Sequence, residues 1–431
     1  MAVQTLSKSR IDKAGQLLSK GEPQTLEDIE KYYDSESIFD EFRQQHLQPL
    51  TSTTVELQNW LKEAGTPYII VQRLKRKPQI LRKLRRFPVR LTQLQDIGGL
   101  RIIVDQNSDV DKLVDYIQKL LKRQSAVRIK KIVNYREKGR DDSGYRATHV
   151  ILDREGVVLE LQIRSKIQHY WAELIERTSV IYGHHLKELD GELAVINYFK
   201  ELSNLFYEIE SGRRPTAYQK NELEKLREEA EQLISNADSK NVFSNFENEG
   251  IVKTLIDQEK RLGGGEFNNW IFVFNWNEGS FISWEIIGLD PKTAITSYVE
   301  FERRYPSEHG FEVVLVGSSS VANIRETHSH YFGLNQTNNV LETLNESIVG
   351  FSNKMDIDVG ARQILAVMDR KRYWGTKIIS QDTLKNHYCQ DILTFDTSLS
   401  TLIVKGLIHK GDATRGIALN LKKKKEIESY L

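Results

Sequence analysis

The chain has 431 residues, enough for roughly two to four domains with cores of their own. Its 61 Lys+Arg against 60 Asp+Glu leave a net charge of +1, so any phosphate or nucleic-acid site must be a local concentration of cations. A single cysteine, Cys389, excludes an intramolecular disulfide and a thiolate zinc cluster, and it fits a reducing compartment. The first residues, MAVQTLSKSRIDKAG, lack the apolar stretch of a secretion signal, and no apolar run approaches membrane-spanning length. The expectation is a cytoplasmic protein with no membrane partner.

In chain order, residues 7–45 read as two helices, the second opened by Thr25-Leu26-Glu27-Asp28 in the manner of a capping box. Residues 55–64 read as a third helix and Pro67–Val71 as a short strand. That strand feeds a basic cluster, Arg73-Leu74-Lys75-Arg76-Lys77, continued by Arg82, Lys83, Arg85 and Arg86. Pro78 suits a first helical turn, so Gln79–Arg86 is expected to be a cation-lined helix. Asp96-Ile97-Gly98-Gly99 leads into an apolar strand, 100–105. Next comes an amphipathic helix, 109–122, with Val110, Leu113, Ile117 and Leu120-Leu121 on one face. Strands are expected at 127–133, 148–152 and 157–164. In the last, Val157, Leu159, Leu161 and Ile163 alternate with Glu160, Gln162 and Arg164. Ile167–Tyr182 reads as a helix, which makes this region α/β, a mixed sheet flanked by helices.

Residues 185–260 read as mostly helical, and Gly263-Gly264-Gly265 as a linker or turn. A second α/β unit is expected to follow. It has a hairpin, 270–274 and 281–284, around Asn277-Glu278-Gly279, then a helix from Lys292 to Tyr305 stopped by Pro306, and a strand, 311–316. Gly317-Ser318-Ser319-Ser320 reads as the start of another helix. The last segment reads as a small winged helix. It has helices at 359–369, 380–388 and 398–407, a wing tip at Gly411–Gly416, and a strand at 417–419. It is net positive, helped by Lys422–Lys425, so tRNA or DNA is a candidate partner there. The expected domains are 1–60 (N-terminal helices), 61–240 (catalytic unit with a helical extension), 241–353 (small α/β domain) and 354–431 (winged-helix-like). An oligomer is left open.

The residues from Arg73 to Arg164 carry the chemistry. Phosphoryl or pyrophosphoryl transfer needs cations on the polyphosphate, a metal across its oxygens, and a positioned, deprotonated hydroxyl. Asp96 and Glu160, on or beside neighbouring strands, are the hard oxygen donors that magnesium prefers. Arg73, Lys75, Arg82 and Lys83 supply positive charge. Gly144 allows close approach beside Tyr145, whose ring offers a platform for a base.

These pieces in this order resemble the RelA/SpoT synthetase domain. The resemblance rests on Arg73-Leu74-Lys75 with Lys83, Asp96-Ile97-Gly98-Gly99-Leu100-Arg101 and Ser143-Gly144-Tyr145-Arg146-Ala147-Thr148-His149. Leu159-Glu160-Leu161-Gln162-Ile163-Arg164 and His169 with Trp171-Ala172-Glu173 complete it. It is strong over 67–183, with no sign upstream of the family's hydrolase. The resemblance implies a nucleotidyltransferase-like fold and transfer of the β,γ-pyrophosphate of ATP to the 3′-hydroxyl of GDP or GTP. It implies Mg2+ held by Asp96 and Glu160, with Glu160 also the base toward the 3′-hydroxyl. ATP phosphates would be bound by Arg73, Lys75, Lys83 and Arg101. The acceptor side would comprise Tyr145 stacking on the base, with His149, Gln162 and Arg164 supporting the sheet face.

Two departures concern the acceptor. Val133-Asn134-Tyr135 stands where the family usually has Lys-Asp-Tyr, and Arg140-Asp141-Asp142 stands where it usually has Pro-Lys. Arg140, Lys130, Lys131 or Lys138 would substitute, while Asp141 and Asp142 would repel a phosphate tail. The alternatives are transfer to another acceptor such as the tRNA 3′ end, or a non-catalytic nucleotide sensor coupled to a winged helix.

Overall fold

The computed structural model describes residues 6–21, 25–64, 68–122, 126–140, 143–213, 215–237, 267–275, 280–288, 290–318, 359–390, 395–410 and 416–430, with single positions 257, 261, 324, 357 and 392. Pro67, Asp141, Asp142, Gly263–Gly265, Asn277–Gly279, Ser319, Ser320 and the expected wing tip from Gly411 to Arg415 lie outside the described residues.

Three helices open the chain: α1 (Lys8–Ser19), α2 (Leu26–Gln44) and α3 (Leu47–Ala64). Ser7 caps α1 by accepting from the Arg10 amide at 3.3 Å. Thr25 caps α2 by accepting from the Asp28 amide at 3.3 Å, and its hydroxyl donates to the Asp28 carboxylate at 2.6 Å. Helix α3 starts eight residues before the expected 55, because Pro49 sits in its first turn, where the ring is tolerated.

Strand β1 (Tyr68–Leu74) runs three residues past the expected end, so Arg73 projects from a strand and not from a loop. It is followed by α4 (Lys77–Arg86), β2 (Gly98–Val104), α5 (Asn107–Leu121), β3 (Val127–Asn134), β4 (Thr148–Arg154) and β5 (Val157–Ser165). On α5 the buried residues are Val110, Leu113, Ile117 and Leu121, one side of a helix as the 3.6-residue period requires. Ser165 ends β5 and caps α6 (Lys166–Tyr182) in a capping box with Gln168, so the chain passes from strand to covering helix without a loop. Helices α7 (Leu193–Glu210) and α8 (Ala217–Ala237) pack with α6 around Trp171, Tyr198, Phe199, Leu202 and Phe206.

The strands expected in a second α/β unit lie in the same sheet as β1–β5. These are β6 (Asn268–Asn275), β7 (Ser280–Gly288) and β8 (Phe311–Ser318), with α9 (Pro291–Arg304) between the last two. The eight strands run β3-β4-β5-β2-β1-β8-β6-β7; β2 and β5 are parallel and every other pair is antiparallel. At the join, Gln72 and Arg73 pair with Gly317 and Val316. The buried Gln72 amide donates to Asn269 Oδ1 at 3.1 Å and to Thr51 Oγ1 at 3.0 Å, and accepts from Thr54 at 2.7 Å. Four buried polar groups satisfy one another there, so the two halves of the sheet share a core.

Near the C-terminus, α10 (Val359–Arg370), a two-residue β9 (Ile379–Ser380), helical turns from 381 to 388, α11 (Phe395–Val404), β10 (Ile408–Lys410), β11 (Gly416–Leu419) and α12 (Lys424–Tyr430) surround a separate core. The three strands are ordered β10-β11-β9. Among the described residues, no helix is long and apolar enough to cross a membrane.

Candidate active site

Register decides what faces what. Glu160 of β5 lies opposite Gly99 of β2, and Gln162 opposite Arg101. On the flanking strands, Arg73 lies opposite Gly99 and His149 opposite Gln162. Side chains alternate along a strand, so Arg73, Arg101, His149, Glu160, Gln162 and Arg164 share one face of the sheet. The other face takes Leu100, Ile102, Leu159, Leu161 and Ile163 into the main core. Asp96 stands two residues before β2, close enough that its charge is felt at Glu160.

Asp96 lies between two lysines. Its Oδ2 accepts from Lys75 and, at 2.9 Å, from Lys83 of α4. Burial would raise its pKa, but the two ammonium groups outweigh burial and hold the carboxyl well below the usual range. The other oxygen, Oδ1, is buried and has no hydrogen-bond partner. An ionised oxygen in that state is rare and points to a missing partner.

Glu160 belongs to a closed ring of hydrogen bonds. Its Oε1 lies 2.9 Å from His149 Nδ1, and its Oε2 accepts from Gln162 Nε2 at 2.7 Å. His149 Nε2 meets the Tyr145 hydroxyl at 2.8 Å. Arg164 Nη2 donates both to that hydroxyl at 2.8 Å and to Gln162 Oε1 at 2.7 Å. Burial would raise Glu160, yet the bond to His149 and its charge pull the carboxyl down, keeping it ionised. Burial would lower His149, but Tyr145 and Glu160 outweigh it and carry the imidazole up to about 9. Tyr145, which burial would raise, is brought down to about 8 by Arg164 and His149. Every member fixes two others, which is how a carboxylate is held to one orientation.

Tyr145 is half-buried, and the Arg164 guanidinium covers one face of its ring at 4.8 Å. Gly144 makes the turn before it. Its φ is +81°, and a Cβ there would come within 3.0 Å of Ser203 and 3.1 Å of Lys200, so only glycine fits. Arg101 is 3.6 Å from Glu173 on α6; burial and Arg164 together bring its guanidinium down to about 10. Arg140 reaches the rim, its guanidinium 5.7 Å from the Tyr135 ring, which in turn meets His149 edge-on at 5.1 Å.

The basic cluster separates into two groups. Arg76 pairs with Glu312 and Lys77 with Glu36. Arg82 and Arg86 pair with Glu188 at 3.9 and 3.3 Å, and Arg85 donates to the Ser19 carbonyl at 2.8 Å. Those five brace neighbouring elements. Lys75 and Lys83 turn to Asp96, and Arg73 and Arg101 lie on the site face. Arg82, expected to add to the site's charge, is spent instead on Glu188, because it sits one position before Lys83 and so on a different side of α4.

The bond from His149 to Glu160 and the pair of Arg101 with Glu173 were not legible from sequence. In the first, His149 lies diagonally across from Glu160 once β4 and β5 are in register, and alternation alone does not say that those two strands are neighbours.

A divalent cation fits this donor set. Among the described residues no three His, Cys, Asp or Glu cluster as an all-protein cage. Magnesium characteristically takes one or two carboxylates and completes its shell with water and substrate phosphate oxygens. The unpartnered Asp96 Oδ1 is one such donor, and Glu160, with lone pairs remaining, is the other.

Residues 72–186 match a family model described as the region found in RelA / SpoT proteins. The chain is 30% identical over 126 residues to a "Probable GTP diphosphokinase RSH3, chloroplastic" of Arabidopsis thaliana, covering 29% of this chain and 17% of that one. It is 32% identical over 136 residues to an uncharacterised protein of Mycobacterium tuberculosis, covering 31% of this chain and 46% of that one. The match thus spans about a sixth of the first relative and under half of the second. Among solved structures, the small alarmone synthetase 2 from Bacillus subtilis is 23% identical with a TM-score of 0.31, covering 38% of this chain and 92% of that one. The small alarmone synthetase 1 from Bacillus subtilis, bound to its product pppGpp, is 21% identical with a TM-score of 0.32, covering 43% of this chain and 93% of that one.

Proposed function

We propose, from the premise that residues 72–186 form a RelA/SpoT-type synthetase domain, that this protein transfers the β,γ-pyrophosphate of ATP to the 3′-hydroxyl of GDP or GTP. The observation that carries the reading is the pairing of a buried, unpartnered Asp96 oxygen with a Glu160 carboxylate locked on the same sheet, under Arg73, Lys75, Lys83 and Arg101. Asp96 and Glu160 would hold Mg2+, which would supply positive charge to offset that of the polyphosphate.

The chain's own residues do the rest. Lys75 and Lys83, which pair with Asp96, are positioned to turn to phosphate oxygens when these enter. Arg73 and Arg101 add positive charge on the same face of the sheet. The acceptor base lies against the ring face of Tyr145 that Arg164 does not cover. The acceptor's ribose 3′-oxygen attacks the β-phosphorus of ATP, AMP leaves, and the hydroxyl proton passes to Glu160. His149 and Gln162 keep that carboxylate ionised and aimed.

The test uses γ-labelled ATP and magnesium with GDP, GTP or deacylated tRNA in turn. Label on guanosine nucleotide is expected. Label on tRNA alone would move the acceptor to the RNA 3′ end, and binding of ATP without transfer to any acceptor would sink the enzyme reading. In the same assay, Tyr145→Ala is expected to raise the acceptor KM about 10-fold, with ATP little changed, because a stacked base contributes about 1–3 kcal/mol. Equal shifts for both substrates would remove Tyr145 from the acceptor side.

A further inference from the structure

The C-terminal unit, expected from its sequence to be winged-helix-like, would on that expectation place its third helix in a DNA groove. That helix, α11, carries no lysine or arginine. Its exposed positions include Asp396, paired with Lys385 at 2.6 Å, Ser400, and Val404 at 85% exposure. An acid and a bare valine are poor partners for a phosphate-lined groove.

The cations lie elsewhere. The turn after α10 reads Arg370-Lys371-Arg372-Tyr373-Trp374-Gly375-Thr376-Lys377, with no acid, and the chain after β11 reads Leu421-Lys422-Lys423-Lys424-Lys425. The fold brings them together. The Gly375 amide donates to the Leu419 carbonyl at 3.0 Å, the Leu419 amide to the Tyr373 carbonyl at 2.9 Å, and a Cβ on Gly375 would lie 2.5 Å from Leu421. Aromatic rings are interleaved with the cations. Lys371 lies 5.0 Å from the Tyr388 ring and Lys377 5.3 Å from the Tyr373 ring. Tyr388 is 40% exposed. Arg372 adopts φ +59°, in the left-handed region that favours glycine. It is exposed at the tip of this turn.

We infer that this face, and not α11, binds a single-stranded nucleic acid, its lysines tracking the phosphates and Tyr388 offering a ring to an unpaired base. Cations in a row with an exposed ring suit a flexible strand whose bases are unstacked, whereas a duplex keeps its bases out of reach of a ring.

The experiment is fluorescence anisotropy on the full chain. The probes are labelled 20-mers of uridine RNA and thymidine DNA, the corresponding duplex, and phosphatidylserine vesicles. Both single strands are expected to bind more tightly than the duplex, with log K falling as salt rises. Lys371→Ala/Lys377→Ala/Lys422→Ala removes exposed side chains, so folding should be unchanged by circular dichroism. Strand affinity should fall at least about 10-fold, with the salt slope shallower by about 2. Ser400→Glu, on α11, should leave strand binding unchanged. The inference is overturned if the duplex binds best, if Ser400→Glu weakens binding as much as the triple variant, if only vesicles bind, or if no probe binds.

Discussion

Glu160→Gln is expected to leave ATP bound while pyrophosphate transfer falls by about 10²–10⁴-fold, the range a positioned general base supplies. The substitution keeps the shape but removes one acceptor from the ring of hydrogen bonds. Glu160 accepts on both oxygens, from His149 and from Gln162, and an amide accepts on one only. The His149 side can adapt, because a neutral imidazole with its proton on Nε2 accepts at Nδ1 and still reaches the Tyr145 oxygen. His149 then loses the carboxylate that helps hold its pKa near 9 and should titrate closer to an ordinary histidine. Single-turnover transfer with labelled ATP, beside calorimetric ATP binding, separates the two effects. Transfer within about threefold of the parent would end the assignment of Glu160 as base.

Arg43→Met is expected to cost about 3–5 kcal/mol of stability, the largest effect of any single change away from the site. The Arg43 guanidinium is buried. It donates to Glu302 at 2.8 and 3.1 Å, to the Tyr298 hydroxyl at 3.2 Å, and to the Lys75 carbonyl at 3.2 Å. One side chain thus joins α2, α9 and the segment that carries Lys75. Without it, Glu302 faces Asp40 with no cation between them, and both lie in a poorly solvated position. Urea unfolding checks the size of the loss. Arg43→Met/Glu302→Leu should recover a good part of it, because burying two apolar groups is cheaper than burying one unpaired charge. A loss below about 1 kcal/mol for Arg43→Met would show that the pair is solvated.

The site strands were legible because their side chains alternate. Leu159, Leu161 and Ile163 announce one face and Glu160, Gln162 and Arg164 the other, and the structure places them so. Helix α5 was legible for the same reason at a different period. Pairing partners were not, since a sequence shows which residues share a face of one strand but not which strand lies beside it. That hid the bond from His149 to Glu160. It also hid the continuity of the sheet, for nothing local in Phe311–Val316 says that the strand beside it will be β1, some 240 residues earlier by the pairing of Arg73 with Val316. Nor does a run of cations reveal its allocation. Lys83 reaches the site while Arg82 and Arg86 are taken by Glu188, a residue about a hundred positions away.

The seam between β1 and β8 bears on how this protein can be divided. A version stopped anywhere before Phe267 would leave the Arg73 strand as a naked border. It would also strip the Gln72 amide of Asn269. Exposed borders of this kind recruit other chains, so such a fragment should clump where the intact protein does not. In this chain the matched stretch is not a transplantable module; it borrows its far wall from residues 267–318.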